Sequence, residues 1–148
     1  MTRTPIRYRN LTPEQKKIIC NGCGGKGSII PVPNFCFGAS CDHHDFNYWL
    51  GCQPEQRKKA DKQFLTEMLK DAKRVKPPRA MAFICNAFKI HTKYYESWAY
   101  TFYAAVRLRG GKYFNYAPMQ RTLEDLNRVQ KTLREIASKS KRMVHGSF

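Results

Sequence analysis

Phe37-Gly-Ala-Ser-Cys41-Asp-His-His44-Asp45-Phe-Asn-Tyr48-Trp-Leu-Gly51 is the stretch on which the reading of this chain turns. It has helical composition and ends at Gly51, with Pro54 close behind. On a helix Cys41, His44 and Tyr48 fall at spacings of three and four and share a face, while Asp45 lies about 100° round from His44. A histidine and its neighbouring carboxylate can then look into one cleft without bonding to each other. That suits a base and a metal ligand working side by side. His43 points away from His44, toward the surface. Trp49 suits either a lipid interface or the core.

The next helix is expected over residues 55–75, with Pro54 at its start and Pro77-Pro78 after its end. The pivot between two antiparallel helices then lies near residues 52–53, which sets position 44 level with position 61. Position 61 is aspartate. Asp61 can accept a hydrogen bond from one ring nitrogen of His44, fixing the tautomer and leaving the other nitrogen free to take a proton. Among Ala60, Phe64 and Leu65 an unpaired carboxylate would be costly, so Asp61 needs a partner. A His–Asp pair across two helices is more often only a structural bond. The conjunction of His44, Asp45, Tyr48, Asp61 and the loop before them points to chemistry.

Working outward, Thr12, Pro13 and Gln15 read as the capped start of a short helix ending near Cys20. Residues 21–34 hold Gly22, Gly24, Gly25, Gly27, Pro31 and Pro33, a loop whose backbone turns tightly or approaches something closely. Residues 28–32 are the single strand-like stretch. In the helix over 55–75, Ala60, Phe64, Leu65, Met68 and Ala72 mark one apolar face, with the lysines mostly off it. Residues 79–108 read as a long aromatic-rich helix ended by Gly110-Gly111. A final amphipathic helix is expected over 119–137, with Leu123, Leu126, Val129, Leu133 and Ile136 at helical spacing. The expected fold is mostly α, an antiparallel helical hairpin preceded by a Gly-rich loop and followed by further helices. Its 148 residues make one domain.

The charge is 27 Lys+Arg against 11 Asp+Glu, or +16. Such a balance excludes a near-neutral surface or an acidic tail and favours a polyanionic partner, nucleic acid or anionic lipid. No apolar run approaches the roughly 20 residues of a membrane span. The first ten residues lack the apolar core of a signal peptide, so either the protein works where it is made or this is a processed or excised piece. The six cysteines, Cys20, Cys23, Cys36, Cys41, Cys52 and Cys85, fit either disulfides or a metal site.

Cys41-Asp-His-His-Asp-Phe-Asn-Tyr48 resembles the active-site helix of secreted phospholipases A2, most of all the bacterial and fungal branch. Ala60-Asp61-Lys-Gln-Phe64-Leu-Thr-Glu-Met68 resembles the helix that supplies that family's second aspartate, and Asn21-Gly-Cys-Gly-Gly-Lys-Gly27 resembles its calcium loop. The likeness covers about residues 20–72. Ser40 and Asn47 stand where many relatives have cysteine, and Lys26 where a glycine is usual. The resemblance implies calcium-dependent hydrolysis of the sn-2 ester of phospholipids. His44 would be the base, Asp61 its orienting partner, and Tyr48 either a hydrogen-bond donor to Asp61 or a packing residue. Asp45 and the carbonyls of Gly22, Gly24 and Lys26 would hold Ca2+. It also implies a Cys23–Cys41 bridge, with Cys20–Cys36 and Cys52–Cys85 as the remaining pairs. An anionic phospholipid membrane surface would then be the partner, met by Lys and Arg on helices 55–75 and 121–142. Secretion, or delivery outside the cytosol, follows from the cysteines and the calcium demand.

Two rivals remain. Cys20-x2-Cys23-x12-Cys36-x4-Cys41 is a zinc-like spacing, and with the charge it suggests a nucleic-acid-binding module. Against nucleic acid, the segment between the cysteine pairs carries only Lys26 as a charge. It is not a phosphate-binding loop, since Gly27 follows Lys26. The second rival is a catalytically silent binding protein of the same fold.

Overall fold

Thr12 and Gln15 open the first helix with a reciprocal capping box, each side chain accepting the other's backbone N–H, at 3.2 and 3.0 Å. That helix is α1, Pro13–Ile19. In this computed structural model residues 6–23, 35–77, 79–81, 83–84 and 89–145 are described. The longer helices are α2 (Gly38–Leu50), α3 (Pro54–Arg74), α4 (Ile90–Arg109) and α5 (Leu123–His145). Among the described residues there is no strand, only one β-bridge between Cys52 and Tyr116. The strand-like stretch 28–32 lies outside them. No described helix is long and apolar enough to cross a membrane.

The protein is thus mostly helical, with α2 at its centre. One face of α2 gives Phe37 and Cys41 to a cluster with Phe64, Met68 and Ala72 of α3 and Ala99 and Phe102 of α4. Phe46, on another face, packs with Leu11, Ile19 and Leu126. Tyr48 meets Ala60 and Phe114. Each fully buried Phe, Met or Leu contributes about 1.5–3 kcal/mol. The anticipated apolar face of α3 is the buried one, with Leu65 at its rim.

Two expected helices start elsewhere. In the stretch 79–108, a 3-10 turn at Arg79–Met81 precedes α4, and α4 begins only at Ile90. Lys89 before it has φ +51°, left-handed backbone that a right-handed helix cannot continue. The final helix was expected over 119–137 but spans Leu123–His145. Residues before it are committed to another partner: Ala117 N–H donates to Cys52 O and Arg121 N–H to Leu50 O, at 3.2 and 2.9 Å. Thr122 and Asp125 then cap each other, which sets the start.

Cys23 and Cys41 are bridged. Cys20, Cys36 and Cys52 are free thiols, so neither Cys20–Cys36 nor Cys52–Cys85 forms. Cys20 packs with the Leu11–Leu126 cluster and Cys36 with the Phe37–Phe102 cluster, different sides of α2 that keep the two thiols apart. With Cys23 and Cys41 joined to each other, a four-thiolate zinc site is not formed.

Gly51 ends α2 at φ +67°, and a Cβ there would collide with the backbone oxygen and side chain of Asn115. Gly51→Ala should therefore lower stability by at least about 2 kcal/mol, strain and clash together, measured as a fall in the urea midpoint.

Candidate functional site

The end of α2 that carries His44 and Tyr48 lies against the part of α3 that carries Arg57 and Asp61. Contacts pair Ser40 with Asp71, His43 with Glu67 and His44 with Asp61, so numbers rise along one helix as they fall along the other. The last turn of α4 adds Arg107, and the turn after it adds Gly110. A Cβ on Gly110 would sit 2.5 Å from the Tyr48 hydroxyl, so only glycine lets that turn close over the phenol.

Asp61 is wholly buried and accepts from three side chains. His44 Nε2 at 3.0 Å and the Tyr48 hydroxyl at 2.7 Å reach Oδ1, and Arg107 Nη1 reaches Oδ2 at 2.7 Å. Arg57 Nε stands 3.9 Å from Oδ2 and 3.4 Å from the Tyr48 hydroxyl. Its Nη2 donates to the carbonyls of Val106 and Arg107, both at 2.9 Å. A guanidinium thus caps the C-terminal end of α4 while facing the buried carboxylate.

Burial pushes the Asp61 carboxyl up, but the hydrogen bonds from His44, Tyr48 and Arg107 outweigh it, and Asp61 titrates below its ordinary 3.8. Burial raises the Tyr48 phenol well above its ordinary 10.0, so it stays protonated and donates. An ionised carboxylate only accepts, so Nε2 of His44 carries a proton, and in the neutral ring the lone pair is on Nδ1. Among the described residues nothing hydrogen-bonds to Nδ1. The ring is gripped on both sides, stacked on Phe64 at 4.4 Å between centroids and tilted against Tyr48 at 4.1 Å. A histidine held this way is oriented and able to accept one proton.

Asp45 points to the other side of His44, toward the glycine-rich segment. Its Oδ2 accepts the Asn21 backbone N–H at 2.8 Å. One turn before it, Cys41 is bridged to Cys23. Gly22, at φ +75°, lies between these two ties. The first residues of that segment are pinned against α2 beside the Asp45 carboxylate. Gly24 and Lys26, the other two expected carbonyl ligands, lie outside the described residues. Among the described residues no group of three or more His, Cys, Asp or Glu side chains is gathered to hold a metal by itself.

The structure therefore brings His44, Tyr48 and Asp61 together and ties Asp45 to the backbone of Asn21. Tyr48 bonds to Asp61 rather than merely packing. His43 is half-buried, not loose on the surface, with Nδ1 2.9 Å from Glu67. Trp49 packs partly into the Leu11–Leu126 cluster, with the Arg121 guanidinium 5.3 Å over its ring. Arg57, Arg107 and Gly110 were missed. Arg57 was readable, since it precedes Asp61 by four positions on one helix. Arg107 follows Asp61 by 46 positions, and no local spacing points to it. Comparisons with protein-family models, with curated proteins and with solved structures return no match for this chain.

Because the folded Asp61 carboxyl titrates below its unfolded value, its stabilisation is full above that unfolded value and is lost as pH falls through the folded one. Asp61→Asn should lower stability at pH 7 by about 3 kcal/mol. It should also flatten the loss of stability below about pH 4. Urea midpoints taken from pH 2 to pH 7 for both proteins read the two effects.

Proposed function

We propose that this protein is a calcium-dependent phospholipase A2 that hydrolyses the sn-2 ester of glycerophospholipids to a fatty acid and a lysophospholipid. One observation carries the reading: His44 is held through Nε2 by a fully buried Asp61, while Nδ1 has no partner among the described residues. The neighbouring Asp45 and the tethered start of the glycine-rich segment support it. So does the resemblance of residues 20–72 to the secreted enzymes. In this reading α2 and α3 form the catalytic hairpin and the segment before α2 is the calcium loop.

The chain's own groups perform the proton transfers. His44 Nδ1 takes a proton from a water molecule as its oxygen attacks the ester carbonyl carbon. Asp61 stabilises the imidazolium that forms, with Tyr48 and Arg107 keeping the carboxylate fixed and ionised. When the ester C–O bond breaks, Nδ1 returns the proton to the leaving alcohol oxygen, and His44 is neutral again. Among the described residues no serine or cysteine is placed beside His44 for an acyl-enzyme. Asp45, with the carbonyls of Gly22, Gly24 and Lys26, would hold the cation. Calcium, when bound, supplies the positive charge that polarises the ester carbonyl and balances the oxyanion. The Cys23–Cys41 bridge and the calcium demand support work outside the cytosol.

With phospholipid vesicles and calcium, fatty-acid release is expected and should stop with EDTA. His44→Gln should lower kcat by about 10²–10⁴-fold without changing the circular dichroism spectrum. No release by the unaltered protein, with zinc bound in its place, would return the case to a nucleic-acid-binding module.

A further inference from the structure

Polar side chains tie helix α5 to α1 at the surface. Asn127 accepts from Gln15 at 3.2 Å, and Gln130 and Arg134 donate to Glu14 at 2.8 and 2.6 Å, so this face meets α1. At about 100° per residue, Val129, Leu133 and Ile136 cluster about 120° away from that face. They are 41%, 46% and 58% exposed, although their spacing is that of a core-facing stripe. Only Leu126, near the start of the helix, reaches the core.

Charge decides what covers the stripe. Between residues 127 and 142 six Lys and Arg face a single acid, Glu135. Arg128 and Lys139 border the stripe on one side, both exposed. A second copy of the chain, itself at +16, would bring like charges together along that border. Nucleic acid would meet the basic residues but leave the apolar stripe in water. An anionic bilayer satisfies both, since apolar side chains enter the acyl boundary while the flanking cations reach the headgroups.

We infer that α5 is an interfacial anchor that lies on anionic lipid membranes with Val129, Leu133 and Ile136 inserted. This names the surface on which the hydrolase reading would operate, but the anchor does not depend on that chemistry. It also places the membrane contact on a helix separate from the His44 site, outside the stretch that resembles the phospholipases.

The test is sedimentation of the full chain with vesicles in EDTA, so that no lipid is consumed. Vesicles of phosphatidylcholine alone are compared with vesicles that also contain phosphatidylglycerol. The protein should bind the anionic vesicles and only weakly the neutral ones. Val129→Ser/Leu133→Ser/Ile136→Ser should weaken binding at least about tenfold while the helix content stays unchanged. Arg128→Glu/Lys139→Glu should weaken it about tenfold or more. Wild-type affinity in the triple variant would overturn the proposal, as would equal binding to both vesicle types. A dimer that the triple variant dissociates would also overturn it, assigning the stripe to a second copy. His44→Gln should bind as the wild type does. If wild-type vesicle binding persists while a dispersed short-chain phospholipid is not hydrolysed with calcium, the hydrolase reading fails and the anchor stands.

Discussion

The organisation of the molecule depends on one buried negative charge. A carboxylate with no exposure is tolerable only when its lone pairs are filled, and Asp61 fills them from α2 and α4. That requirement fixes which turn of α2 lies opposite which turn of α3. It also fixes how far the end of α4 must reach. Gly110 is the geometric complement, since any larger residue would force the closing turn off the Tyr48 hydroxyl.

The same constraint gives His44 its chemical character. An acceptor-only partner sets the tautomer, and the flanking rings of Phe64 and Tyr48 restrict rotation of the imidazole. The groups that keep Asp61 ionised are the groups that leave one ring nitrogen basic and turned outward from the pair. Asp45 stays clear of this network because it lies a further 100° or so round α2, where it meets the backbone of Asn21 instead.

Much of this was legible because short-range rules wrote it. Gly51 and Pro54 bound the turn between α2 and α3, and counting from that turn brings residue 44 to residue 61. The capping box of α1 is visible in three letters. What escaped was set by long-range contacts. Arg107 belongs to the site only because α4 packs along α3. The start of α5 was placed too early because residues 117–121 bond through backbone atoms to the end of α2, which side-chain spacing does not encode. Left-handed backbone at Lys89 interrupts a stretch whose composition is helical throughout. In α5 the periodicity located a stripe but carried no sign of whether protein would cover it.

Arg57 and Arg107 tie the histidine's partner to the last turn of α4, and this has a consequence for a chain still leaving the ribosome. His44, Tyr48 and Asp61 are all synthesised before α4 begins, yet Asp61 lacks its Arg107 contact until that turn has emerged and wound. A nascent or truncated polypeptide therefore holds these three residues without the Arg107 guanidinium that completes their network. Completion of the network around Asp61 is delayed until most of the protein exists, a timing built into where the second guanidinium falls along the chain.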